Sequence, residues 1–109
     1  MGMIAVTDRL LVPEDALAAY CARWKVARVE LVGEGEWDDP YFDGGIGVMV
    51  TPLPDSGISG FDWVHMMDEM AEMLGRKVVL IDRRAWELPE RRPLKQHMLD
   101  TARTLYVAG

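Results

Sequence analysis

Between residues 27 and 82 the chain changes from strand-like alternation to helical spacing and back, and glycine or proline marks each change. Ala27 to Val32 alternates and is rich in β-branched residues, which predicts a strand that Gly33 ends. Gly44-Gly45-Ile46-Gly47-Val48-Met49-Val50-Thr51 predicts a second strand, stopped by Pro52 and Pro54. Residues 60–74 place Phe61, Val64, Met67, Met70, Met73 and Leu74 on one helical stripe, closed by Gly75. Lys77 to Asp82 predicts a third strand. Upstream, Pro13-Glu14-Asp15 suits a first helical turn, and Leu17, Tyr20, Cys21 and Trp24 follow at helical spacing, so a helix is expected over 13–24. Leu94, Met98, Ala102 and Leu105 predict a last helix over 93–106. The order helix, strand, strand, helix, strand, helix is an α/β (α+β) arrangement: a small mixed β-sheet with helices packed on it. A chain of 109 residues is expected to form one domain, 1–109, with Met1-Gly2-Met3 reading as a second start behind a cloning scar.

Charge narrows the function classes. The net charge is −6, which argues against direct nucleic-acid binding by the chain as a whole, because phosphate contacts need clustered Lys and Arg. Residues 29–75 hold eleven acids and no Lys or Arg, whereas residues 76–109 hold eight bases and four acids. The acidic middle reads either as a solvated face balanced by the basic tail or as a surface that steers a partner. One cysteine, Cys21, excludes an internal disulfide and a cysteine-rich zinc site, and a cytoplasmic setting is expected. Cys21 falls on the apolar stripe of the first helix, so it is expected in the core rather than as a nucleophile. No apolar run approaches the ~18–20 residues of a membrane span, and no membrane partner is expected. His65 and His97 have no Cys partner at metal-ligand spacing on their own helices.

Several segments together resemble the minimal nucleotidyltransferases, small relatives of DNA polymerase beta, over nearly the full length. Val29-Glu30-Leu31-Val32-Gly33 is similar to the family's first strand and its glycine. Asp43, Ile46 and Val48-Met49-Val50 match the approach to the second strand and its interior. Leu74-Gly75-Arg76-Lys77-Val78 matches the end of the long helix and the start of the third strand, and Leu80-Ile81 continues it. Thr104-Leu105-Tyr106-Val107-Ala108 resembles the family's last helix. The resemblance implies a nucleotidyltransferase-like fold.

The same comparison places the family's chemistry on unsuitable residues. The loop serine becomes Glu34 and the loop arginine becomes Trp37. The two carboxylates of the Asp-x-Asp pattern become Gly45 and Gly47, and the third carboxylate becomes Val79. Nucleotidyl transfer needs two divalent ions held by hard oxygen ligands. Strand side chains alternate, so Asp-x-Asp presents both carboxylates on one face, and glycine and valine supply none. Asp82 is three residues from Val79 and therefore points to the other face. The former nucleotide loop is Gly33, Glu34, Gly35, Trp37 and Asp43. The acids of this loop read as a solvated face, or else Glu34 and Asp43 hold a residual cation. Gly33-x-Gly35 reads as a turn or as a phosphate-approaching backbone.

The resemblance therefore implies a catalytically degenerate protein, with no cofactor, that acts by binding another protein. Family members occur as the antitoxin half of toxin–antitoxin pairs with all-helical HEPN-type ribonucleases, so a HEPN-type partner is implied. The alternatives are a nucleotidyltransferase that retains nucleotide and Mg²⁺ through Glu34 and Asp43, and a nucleotide sensor without turnover. Trp37, Tyr41 or Phe42 is expected to fold over the bare face left by Gly44, Gly45 and Gly47, or else a partner fills it. Trp86, beside Arg83, Arg84 and Glu87, reads as a core-edge anchor or as the exposed aromatic of an interface, and with Trp24, Trp37 and Trp63 it makes a homo-oligomer a further expectation.

Overall fold

The computed structural model describes residues 2–7, 10–32, 45–86, 100 and 102–108. The chain opens with an antiparallel hairpin, β1 (Met3–Thr7) and β2 (Leu10–Pro13). This hairpin is absent from the sequence expectation. Its strands are five and four residues long, and no glycine or proline marks the Asp8-Arg9 connection, so the usual punctuation is missing. It is anchored by Val6 and Val12, both fully buried in the core.

Pro13 ends β2 in extended geometry and serves as the N-cap of α1 (Glu14–Trp24). No side chain caps this end. Glu14 and Asp15 in the first turn face the positive end of the helix dipole, and Glu14 N–H donates to the Gly2 carbonyl at 3.0 Å. The helix stops at Lys25, which adopts the left-handed conformation at φ 56° and donates its N–H to the Cys21 carbonyl. β3 (Val26–Val32) follows, and β4 (Ile46–Pro52) runs antiparallel to it.

Helix α2 (Gly60–Leu74) starts in a capping box. The Ser59 hydroxyl accepts from Asp62 N–H at 3.2 Å, and Ser59 N–H donates to Asp62 Oδ2 at 3.0 Å. Gly75, at φ 67°, ends it as expected. The apolar stripe is displaced from the expected one. Met66, Met70 and Leu74 are buried, with Trp63, Met67 and Met73 beside them, while Phe61 is 85% exposed and Val64 51% exposed. Nearly every turn of this helix offers an apolar residue on more than one face, so spacing alone does not single out Met66.

β5 (Val78–Asp82) runs parallel to β4, α3 (Arg83–Trp86) is a single turn, and β6 (Arg103–Val107) pairs antiparallel with β3. The sheet order is β5-β4-β3-β6, so the sheet is mixed, as expected. The helix expected over 93–106 fails at its end, where 103–107 are strand, and its residues 93–99 and 101 lie outside the described residues. Leu105 is buried there, and the ladder to β3 supplies the backbone hydrogen bonds that a helix would have satisfied locally.

Directly paired residues share a sheet face. Val29 and Leu31 of β3 stand with Val50 and Val48 of β4 and with Leu80 of β5. They form one cluster with Leu17, Tyr20 and Cys21 of α1 and Met66, Met70 and Leu74 of α2. Both long helices therefore cover one face, and the hairpin joins the same core.

Candidate functional site

The other face of β3, β4 and β5 carries the positions that the resemblance singled out. Gly47 pairs with Val32 on one side and with Val79 on the other. Gly45 is buried just before β4, and the next residue, Ile46, donates its N–H to the Lys77 carbonyl at 2.9 Å. Met49 and Ile81 continue the same rows and are buried, although neither belongs to the helix-side cluster. The tertiary fold thus brings Gly47 and Val79 together on adjacent parallel strands.

This face also holds the one buried charged side chain among the described residues, Glu30. It pairs in register with Met49 and lies one step from the Val32–Gly47–Val79 row. Arg83 reaches back from α3, and its Nη1 lies 2.7 Å from Glu30 Oε1 and 3.7 Å from Met49 Sδ. The side chains are only 23% and 5% exposed, so the pair is largely desolvated. Nothing in the spacing of β3 marks Glu30 as a site residue. Its signal was a carboxylate inside an otherwise apolar run, Val29 to Val32, where an unpaired charge is rarely tolerated.

Asp82 behaves as its spacing predicts. It is in register with Val50, on the helix-side face, and away from Val79. Its carboxylate accepts from Arg84 N–H at 2.9 Å and from the Arg84 guanidinium at 3.2 and 3.0 Å, and that hydrogen bonding raises the Arg84 pKa. Gly33, Glu34, Gly35, Trp37, Tyr41, Phe42 and Asp43 lie outside the described residues, and so do His97, Glu87 and the Trp86 side chain. Their expected roles in the cleft or at an interface are therefore not placed by the structure.

A divalent ion does not fit the described part of this face. Gly47 has no side chain, Val79 offers hydrocarbon, and the Glu30 carboxylate is held by Arg83. Among the described residues no group of three His, Cys, Asp or Glu side chains is arranged to hold a metal ion.

On the helix side the polar groups are locked into packing. The Tyr20 hydroxyl donates to the Met66 carbonyl at 3.1 Å, and burial, with Glu69 nearby, pushes its pKa up. Burial pushes the Cys21 thiol up to about 11, which fits a core role and opposes thiolate chemistry. Trp24 Nε1 donates to Glu69 Oε2 at 2.6 Å, and Arg23 lies 3.6 Å from the same carboxylate. His65 is exposed on α2. No helix among the described residues is long and apolar enough to cross a membrane.

A mixed four-stranded sheet with two helices on one face, its last strand returning beside β3, is a nucleotidyltransferase-like fold. A crystal structure of the toxin–antitoxin MntA–HpeT, a mutant with two Asp-to-Glu substitutions, is similar over 89% of this chain and 75% of that one, with a TM-score of 0.59 and 15% identity. No protein-family model matches the chain, and no curated protein does. At that identity the likeness is one of fold.

Proposed function

We propose that this chain is a catalytically degenerate nucleotidyltransferase-like protein that acts by binding another protein, in the manner of an antitoxin. The observation that carries the reading is the row formed by Gly47 and Val79, flanked by a Glu30 carboxylate already neutralised by Arg83. A metal-dependent transfer needs several anionic oxygens converging on one spot. Among the described residues this row supplies no carboxylate, and the Glu30 carboxylate beside it is engaged by Arg83. The fold likeness to a toxin–antitoxin component supports the biological setting, and an all-helical HEPN-type protein is the proposed partner. Self-association is the competing mode of protein binding.

Thermal unfolding in the presence of ATP with Mg²⁺ or Mn²⁺ tests the reading. A ligand at a hundred times its Kd would add roughly 2.7 kcal/mol to the stability of the folded chain. We expect no upward shift. A clear shift would transfer the reading to a nucleotide-binding protein that draws its ligands from elsewhere in the chain, with Glu34 and Asp43 the first residues to replace.

A further inference from the structure

Helices α1 and α2 lie side by side on the sheet, and between their outer surfaces runs a groove of about 860 Å³. Its α1 wall is low at Ala16 and Ala19 and rises at Arg23 and Trp24. Trp24 and Met73, both half-buried, are its large apolar lining residues. Trp24 is not free to turn. Its indole N–H is held by Glu69 at 2.6 Å, and the Arg23 guanidinium sits 5.2 Å from its ring centroid. A low wall of alanines beside a fixed aromatic admits close approach by another helix, since interaxial distance is set by the side chains at the contact.

The α2 wall supplies the electrostatics. α2 contains four acids and no Lys or Arg. Asp68 and Glu72 are exposed, stand one turn apart, and have no hydrogen bond or ion pair among the described residues. Like charges at that spacing repel. Glu72 also sits in the last turn, which holds no basic residue, so it meets the negative end of the helix dipole. Both placements disfavour the isolated chain, and a cation brought in by a partner relieves both. Arg23 does not serve, because it is engaged with Glu69 and the Trp24 ring.

We propose that the α1–α2 groove is the docking site for an amphipathic helix of a protein partner, whose apolar stripe covers Ala16, Ala19, Trp24 and Met73 and whose Lys or Arg residues flank that stripe to meet Asp68 and Glu72. This rests on the protein-binding reading above and names its surface and the chemistry of its partner. The site lies on the opposite side of the sheet from the Gly47–Val79 row, so a bound helix leaves that row uncovered.

The probe is a helical model peptide with a Leu/Ala face flanked by Lys, compared by titration calorimetry with its Glu-flanked counterpart. The Lys peptide is expected to bind at least tenfold more tightly than the Glu peptide and to weaken as salt rises. Asp68→Lys/Glu72→Lys should invert that preference, and Ala19→Arg, which fills the low wall, should abolish binding of both peptides. Equal affinity for the two peptides, no saturable binding, or unchanged binding to Ala19→Arg overturns the groove assignment. A concentration-dependent dimer that Asp68→Lys/Glu72→Lys dissolves would also overturn it, by making a second copy the occupant. None of these failures touches the protein-binding reading itself, which falls separately if ATP and a divalent ion stabilise the wild-type chain.

Discussion

Gly47 on β4 and Val79 on β5 are register partners across the parallel ladder, on the face turned away from both long helices. Carboxylates introduced at both positions would stand side by side. Gly47→Asp/Val79→Asp is therefore expected to be less stable than the wild type in the absence of metal, because two neighbouring carboxylates repel. Millimolar Mg²⁺ or Mn²⁺ should restore about 1–3 kcal/mol to the variant and nothing to the wild type. Adding Gly45→Asp should strengthen the response. A folded double variant whose unfolding is indifferent to divalent ions would show that these two positions do not face a common site.

Arg83 neutralises Glu30 at 2.7 Å in a poorly solvated setting. Arg83→Met should lower stability by about 3 kcal/mol, since it leaves a buried carboxylate without its counter-charge. Glu30→Gln/Arg83→Met should recover more than half of that loss. The measurement is the urea midpoint of the two variants and of Glu30→Gln alone, read as a double-mutant cycle. Strictly additive effects would show that the pair contributes no mutual interaction.

The fold should lose stability in alkali. Cys21 is raised from its ordinary value of 9.0 to about 11, and Tyr20 is raised as well. Between those two Cys21 values the folded chain holds a proton that the unfolded chain has released, so the contribution is complete below pH 9 and is lost as pH rises toward 11. The loss from Cys21 should reach about 2–3 kcal/mol. Cys21→Ala should flatten this part of the stability–pH curve. In the folded protein at neutral pH, thiol reagents should modify Cys21 only at the rate of unfolding.

Two helix ends offer opposite outcomes. Ser59→Ala removes the hydroxyl half of the capping box and should cost about 1 kcal/mol. Lys25→Gly should add about 0.5–1 kcal/mol, because Lys25 holds a left-handed conformation at φ 56° that glycine adopts without a Cβ penalty. Thermal unfolding of both variants checks the pair, and a destabilised Lys25→Gly would mean that the lysine stem contributes more through packing than its backbone loses.

The segments legible in the sequence were those whose own periodicity and punctuation agree. α1, β3, β4, α2 and β5 all fall within two residues of their expected bounds, because Pro13, Gly75 and the β-branched runs act locally. β6 was read as a helix because Leu94, Met98, Ala102 and Leu105 happen to recur at helical spacing. Its strand state depends on an unpaired edge of β3 more than seventy residues earlier. Within α2 the apolar residues were recognised but their face was not, since a methionine-rich helix offers more than one stripe and only the sheet beneath it selects Met66, Met70 and Leu74.

The sequence by itself determined which residues stand at Gly45, Gly47 and Val79, and hence that none of these three carries a carboxylate, because residue chemistry does not depend on folding. It also determined the alternation that separates Val79 from Asp82. Only the tertiary structure decided that Gly47 and Val79 are neighbours, that Glu30 is held by an arginine fifty-three residues away, and that the acids of α2 border a groove with α1. Those relations join segments distant in the chain, and they follow from burying one sheet face under two helices. Local sequence periodicity carries no record of which segments will meet.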